Sequence, residues 1–202
     1  MGKVFDAIVL GLYPLIVLIG LTYLNVRWTA VLVLALLGRR IIAAILADRT
    51  TSAIVLVQML SMAAIIAAAG ISESELLLRF TPFLISLTFL AQFGLSLRGT
   101  PIIERFARLK RPDLPPDHVV YCRKLTKAWL AVLLGNSVLV LTAAFVESST
   151  LWAVLVGPVS YTYWGTFIAV EFVFRKWRFQ EFDPKSTIDR LLKPILGRDS
   201  AP

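Results

Sequence analysis

The sequence predicts an all-α fold: a polytopic transmembrane helix bundle of about six spans, five being the alternative, with two amphipathic helices at the cytoplasmic interface. Three observations predict it. Hydrophobic residues make up 57% of the 202 positions and the mean hydropathy is +0.76, above the roughly 45–50% of soluble domains. Apolar runs recur at close to the ~20 residues that a ~30 Å hydrocarbon core demands. Charge is segregated into short blocks, and the densest, at 98–127, holds eight of the 21 Lys and Arg residues: Arg98, Arg105, Arg108, Lys110, Arg111, Arg123, Lys124 and Lys127.

The net charge of +8 does not point to nucleic acid. The cations flank hydrophobic spans instead of gathering on an aromatic-studded soluble domain, as positive-inside topology and contact with anionic lipid require. Cys122 is the single cysteine, so no internal disulfide or redox pair is expected. Residues 1–4 run into an apolar segment without a small-residue cleavage site, which predicts a retained first span.

Residues 7–24 form that span, interrupted by Tyr13, Pro14 and Thr22. Pro14 is expected to kink it, and Asp6 sits at its mouth. The second run, 28–47, offers ten apolar residues before Gly38-Arg39-Arg40 and resumes at 41–47. Ten residues at ~1.5 Å each are too short to cross. Either the helix continues to Ala47 with both arginines snorkelling to head groups, or the run is re-entrant. A third span covers 53–71, with Gln58 and Ser61 inside it. Ser72 and Glu75 read as a capping box opening a fourth, 73–97, past Pro82 and Gln92.

Thr100 as N-cap and Pro101 at the first helical position predict a short helix over 101–111. Ile102, Ile103, Phe106 and Leu109 share one face and Arg105, Arg108, Lys110 and Arg111 the other, the pattern of a helix lying in the interface. Pro112 ends it. After Pro115-Pro116-Asp117 a long helix begins outside the hydrocarbon and crosses over 125–145. The last span, 152–174, has aromatics at both ends as interfacial anchors. Ile188, Leu191, Leu192 and Ile195 recur at helical spacing and predict a second interfacial helix over 185–196, kinked at Pro194. No internal repeat is present, so an inverted-repeat transporter gains no support.

Six crossings with the N-terminus in the cytosol leave only Arg27 and Arg79 outside, beside Glu73, Glu75 and Glu147. Five crossings with a re-entrant second run exchange Lys3 for Arg27 and score the same. Both arrangements put 98–127 and the C-terminal tail in the cytosol.

The run Pro101-Ile102-Ile103-Glu104-Arg105-Phe106-Ala107-Arg108-Leu109 is followed by Pro112-Asp113-Leu114-Pro115-Pro116, Tyr121-Cys122-Arg123-Lys124-Leu125-Thr126, Trp129 and Asn136. With Trp152, Gly157, Ser160-Tyr161, Gly165 and Glu171-Phe172, it resembles a family of uncharacterised bacterial inner-membrane proteins. That family is encoded beside acyl carrier protein, ketosynthase and acyltransferase genes of aryl-polyene and related lipid clusters. Residues 123–145 and Trp152 bear a fainter likeness to the intracellular septation protein A family, which acts in envelope biogenesis. The resemblance implies a bacterial inner-membrane location and an accessory role in lipid or envelope biogenesis. Neither family brings a catalytic residue to this chain.

Intramembrane polar residues are candidate sites because unpaired polar groups are costly there. Glu171 and Arg175 have the i,i+4 spacing of an ion pair. Asn136 is expected to hydrogen-bond the last span, at Tyr161 or Ser160. Gln58 and Gln92 read as interhelical glue. His118 and Cys122 share a helix face, but the chain has one His and no second ligand pair, so no catalytic residue, metal or cofactor is expected. A Gly-rich phosphate loop, a His cluster and paired embedded acids are all missing from the sequence, against ATPase, zinc-hydrolase and di-acid transporter readings. Two functions remain. One is a non-enzymatic membrane module docking acidic cytosolic proteins, such as an acyl carrier protein, on the basic face. The other is a carrier, flippase or transferase that clamps an anionic lipid head group with Arg39, Arg40, Arg123, Lys124 and Lys127.

Overall fold

The computed structural model of the chain describes residues 12–47, 53–180, 182 and 186–197, and among these the only regular structure is helical. The chain divides into two compact units, Met1–Ser160 and Tyr161–Pro202. By length and composition, three helical stretches can cross a membrane: Glu75–Ser96, Pro116–Ala144 and Ser149–Phe179. Tyr13–Tyr23, Val26–Leu36 and Leu60–Ser72 are shorter apolar helices. Residues 7–11, 48–52, 185 and 198 onward, on which several sequence expectations fall, lie outside the described residues.

The first unit begins with α1 (Tyr13–Tyr23), α2 (Val26–Ala47) and α3 (Ala53–Ser72). Pro14 sits in the first turn of α1, where its missing N–H costs nothing; the part of the expected span before it, on which a kink there would show, lies outside the described residues. Helix α2 runs unbroken through Gly38-Arg39-Arg40 for 22 residues, about 33 Å at 1.5 Å per residue. Its buried Thr29 and Ala30 meet both neighbours. A Cβ on Gly20 of α1 would lie 2.6 Å from the Thr29 side chain, and one on Gly70 of α3 would lie 2.9 Å from the Ala30 Cβ. Two glycines therefore let three helices approach backbone to side chain, the close packing that apolar surroundings reward.

The predicted capping box does not form. Ser72 is the last residue of α3 and its hydroxyl donates back to the Ala68 carbonyl at 2.7 Å. Glu73 ends the helix in the left-handed region, φ 52°, and Ser74 takes the N-cap position of α4 (Glu75–Arg79). A short-range motif lost here to a left-handed helix stop.

Helix α4 breaks at Phe80 and resumes as α5 (Thr81–Ser96), with Pro82 in its first turn. Pro82 has no N–H to give to the carbonyl four residues back, that of Leu78. The buried Tyr13 hydroxyl donates to that carbonyl at 3.1 Å, with the Thr81 side chain beside it. Tyr13, Val17, Ala30, Ile66, Leu78, Val140 and Trp152 pack into one core with it.

After α5 come α6 (Ile102–Lys110) and α7 (Pro116–Ala144). Helices α5 and α7 run antiparallel in one register. Ser86 meets Asn136, Phe93 meets Trp129 with centroids 6.1 Å apart, Gly94 faces Leu130, and Leu97 and Gly99 meet Arg123. The inward face of α7 is Cys122, Thr126, Leu133, Asn136, Ser137, Val140, Ala143 and Ala144, small or hydroxylic for the most part. Thr126 and Ser137 turn their hydroxyls back to the Cys122 and Leu133 carbonyls, which satisfies them without a partner helix.

Helix α8 (Ser149–Val154) passes into a π-helical turn, Leu155–Val159, before α9 (Ser160–Phe179). Pro158 lies inside that turn and cannot donate to the ladder, one of the recognised causes of a widened turn. The Ser160 hydroxyl donates to the Leu155 carbonyl at 3.0 Å, and Gly157 leaves room for Pro14, whose Cβ would be 3.7 Å from an added methyl. Trp152, expected as an interfacial anchor, is instead fully buried in the core. It belongs to the same core as Tyr13, Val17, Leu78 and Val140.

The second unit contains the remainder of α9 and α10 (Thr187–Leu196), which carries Pro194 inside it. Ser186 caps α10 by accepting the Asp189 N–H.

The Tyr13 bond yields a two-part prediction. Tyr13→Phe leaves the Leu78 carbonyl buried without a donor and is expected to lower stability in detergent by about 1–3 kcal/mol. Pro82→Ala supplies an N–H to the same carbonyl, so in that background the cost of Tyr13→Phe is expected to fall below half. Equal costs in both backgrounds, measured by thermal unfolding, would show that Pro82 does not create the demand that Tyr13 meets.

Candidate functional site

Two ends and one buried pair of the first unit carry its polar chemistry. At one end Arg27 pairs with Glu73 at 3.1 Å, both side chains well exposed. Arg79 is buried, its side chain 8% accessible. It donates to Glu75 Oε2 at 2.7 Å, to Ser149 Oγ at 2.8 Å, to the Glu147 carbonyl at 3.2 Å and to the Val146 carbonyl. One guanidinium thus ties α4 to the turn between α7 and α8. The two cations that the sequence assigns to a separate side are brought together here with Glu73, Glu75 and Glu147, and pairing cancels their charge locally.

The opposite end is built differently. Arg123 donates from both terminal nitrogens to the Leu97 and Gly99 carbonyls, each at 3.0 Å. These carbonyls lie at the C-terminal end of α5, where cations are favoured. Ser96 Oγ accepts the Ile102 N–H at 3.1 Å, so α6 is capped by a residue six positions upstream. Thr100 was the expected N-cap. Its side chain makes no cap bond; Pro101 occupies the position, and the Thr100 carbonyl accepts Arg105 Nε at 3.0 Å. A local pattern cannot reveal a cap delivered across a turn. Arg108 binds Glu104 and the Pro112 carbonyl at 2.8 and 2.9 Å, with Glu104 buried.

These bonds turn 98–127 into a fixed surface. The backbone carbonyls that accept them carry no net charge, so most of the positive charge persists: eight cations stand against Glu104, Asp113 and Asp117. Arg98, Lys124 and Lys127 are exposed, their side chains without a hydrogen-bonded partner among the described residues, and Arg111 is exposed just beyond α6. Lys124 and Lys127 share a face of α7 at i,i+3, and Arg98 adjoins the Leu97 carbonyl that Arg123 holds.

Between the ends lies Asn136, 3% exposed, whose Nδ2 donates to Ser86 Oγ at 3.1 Å. An interhelical bond was expected, but its partner is Ser86 of α5 where the sequence pointed to Tyr161 or Ser160. The antiparallel register of α5 and α7 decides this, and nothing in sequence spacing discloses it. The Asn136 Oδ1 atom accepts no bond from the described residues. Gln92 is half-buried on α5. In the second unit Tyr161 is exposed, and Glu171 and Arg175 pair at 3.3 Å with the i,i+4 geometry the spacing implies. His118 and the buried Cys122 follow each other along α7, and no group of three or more His, Cys, Asp or Glu able to hold a metal occurs among the described residues. Arg39, Arg40, Gln58 and Lys110 were candidates whose side chains lie outside the described part.

The class this geometry defines is an all-helical protein with three helices fit to cross a membrane, one self-neutralised end and one fixed basic end. Comparison with protein-family models, curated proteins and solved structures finds no match to this chain. The family resemblance therefore rests on the quoted residues alone.

Sequence reasoning missed Arg79, Tyr13, Ser86 and Ser96 as organising residues. Pro82 was the one available signal, since it announces an orphaned carbonyl.

Removing the Arg79 guanidinium leaves two loop carbonyls and Ser149 without their donor. Arg79→Gln is expected to cost about 3–5 kcal/mol, as the loss of a buried charged group with several partners does. Glu75→Gln removes only a half-exposed acceptor and is expected to cost about 1 kcal/mol or less. Chemical denaturation that ranks the two variants equally would contradict the clamp. For the buried pair, Asn136→Leu and Ser86→Ala are each expected to cost about 1 kcal/mol, with the double variant close to either single one. Additive losses would mean that the two side chains are not coupled.

Proposed function

We propose that this chain is a non-enzymatic bacterial inner-membrane protein with six crossings, its N- and C-termini in the cytosol, that docks acidic cytosolic partners on the fixed basic end. The carrying observation is that Arg123, Arg105 and Arg108 are anchored through backbone carbonyls and one acid, so the surface keeps its charge and its shape. A few cations suffice to orient a membrane protein. Eight within one organised patch supply more, namely a field that steers an acidic partner and holds it reversibly. An acyl carrier protein, acidic and carrying a lipid-like chain, fits that surface and the gene neighbourhood that the resemblance implies.

Helix α2 supports six crossings over five. It is unbroken over 22 residues, long enough to traverse, and a re-entrant segment would have to turn back within it. A second reading, a carrier or flippase for an anionic lipid, draws support from one observation, the buried Asn136 carbonyl oxygen without a donor among the described residues.

The variant Arg98→Gln, Lys124→Gln, Lys127→Gln tests the docking reading without touching the anchoring bonds. It is expected to insert and unfold like the parent. Co-purification of acidic cytosolic proteins should fall at least tenfold, and what binding is left should depend less on salt. Undiminished partner recovery would reduce the basic end to a topology signal.

A further inference from the structure

In the second unit, α10 buries its one acid and leaves an apolar stripe exposed. Asp189, the one acid on this helix, is 3% exposed, and its Oδ2 accepts Lys176 Nζ of α9 at 2.5 Å. The rings of Phe172 and Phe182 lie 5.6 and 5.9 Å from the same ammonium, roofing the ion pair with aromatic carbon. Ile188, Leu191 and Ile195, spaced i, i+3, i+7, are left 59%, 68% and 76% exposed.

Water would favour the reverse arrangement, with the stripe against protein and the acid in solvent. An outward stripe is stable where the surroundings are themselves apolar. The position of the helix supplies such surroundings. Lys176 lies in the last turn of α9, at the end of a stretch, Ser149–Phe179, long and apolar enough to cross a membrane. The ion pair thus pins the first turn of α10 at the level where the chain leaves the hydrocarbon. With Asp189 neutralised, the charges that α10 presents are Arg190 and Lys193, both exposed, and Arg178 is exposed at the end of α9.

We infer that α10 is an in-plane helix that binds anionic lipid, its Ile188–Leu191–Ile195 stripe set at the acyl boundary, Arg190 and Lys193 on lipid phosphates, and the Lys176–Asp189 pair acting as the latch that holds it there. This surface belongs to the second unit and the basic end proposed to dock proteins to the first, and its test contains no protein partner, so either can fail alone.

The full-length protein, in a Cys122→Ala background, would carry a nitroxide on Ile188→Cys, Leu191→Cys, Ile195→Cys or Lys193→Cys. It would be reconstituted in phosphatidylcholine vesicles with or without phosphatidylglycerol. The stripe positions should collide with oxygen several-fold more often than with a water-soluble nickel chelate, and the position of Lys193, on the opposite face, should show the reverse. Phosphatidylglycerol should deepen the stripe, and Arg190→Gln with Lys193→Gln should abolish that response. Asp189→Asn should release the Leu191 label to a mobile, shallow position while the thermal transition of the whole protein stays unchanged.

Equal access of the nickel chelate to all four positions would overturn the proposal. Exclusion of both reagents with spin–spin broadening would overturn it in favour of a second copy covering the stripe. Depth indifferent to phosphatidylglycerol would overturn the anionic assignment, and an unaltered Leu191 label in Asp189→Asn would overturn the latch.

Discussion

A guanidinium buried at the end of a helical unit has to be met on several sides at once, and the first unit is assembled around that demand. Arg79 reaches one carboxylate, one hydroxyl and two backbone carbonyls across the turn between α7 and α8. Because it projects from the last residue of α4, it fixes where α5 begins relative to the end of α7. Antiparallel helices locked at one end keep their register, and the successive contacts follow in step: Ser86 with Asn136, Phe93 with Trp129, then Leu97 and Gly99 with Arg123. Arginine suits both ends because its planar fork engages several acceptors in one geometry, which an ammonium does not.

Proline sets the second constraint. Pro82 and Pro158 each remove a donor from an apolar helix, where a stripped carbonyl cannot turn to water. The chain answers the first with a hydroxyl, Tyr13 reaching the Leu78 carbonyl from α1, while beside Pro158 the Ser160 hydroxyl adds a bond to the Leu155 carbonyl across the π-helical turn. Both sites are also packing devices. Tyr13 brings α1 onto the α4–α5 break, and Gly157 beside Pro158 admits Pro14 of the same α1. Trp152 is buried among these contacts and so cannot serve as an interfacial anchor, although its position near the start of an apolar run reads as one.

Much of the architecture was legible because the 3.6-residue and ~20-residue periods are local properties of the chain. The sequence pattern placed a long helix after Pro115-Pro116-Asp117, crossing over 125–145, where the structure has Pro116–Ala144, and the amphipathic helices near 101–111 and 185–196, and i,i+4 spacing anticipated the Glu171–Arg175 pair. Caps and polar partners were less legible. Ser72 with Glu75 has the form of a capping box, yet Glu73 adopts a left-handed conformation and the cap moves to Ser74. Thr100 precedes a helix that Ser96 caps instead. Asn136 was readable as interhelical glue, but its partner depends on the register of α5 against α7, which Arg79 and Arg123 set through contacts some 25 to 70 residues apart in the chain. Sequence spacing reports what a helix turns toward its own neighbours, and a tertiary partner lies outside that range.

The two ends of the unit divide the work of its charges. Arg27 and Arg79 are neutralised by acids at one, while at the other Arg105, Arg108 and Arg123 are anchored and Lys124 and Lys127 stay exposed, so a field is left standing there. The account requires these ends to lie on opposite sides of a bilayer. The most direct measurement is labelling of single cysteines, introduced at Glu73, Glu147, Leu109 or Lys124 of a Cys122→Ala protein in intact cells, by a membrane-impermeant maleimide. The account predicts reaction at Glu73→Cys and Glu147→Cys from outside, and at Leu109→Cys and Lys124→Cys only after the membrane is opened. Labelling of Lys124→Cys in intact cells, or of all four positions from one side, would contradict it.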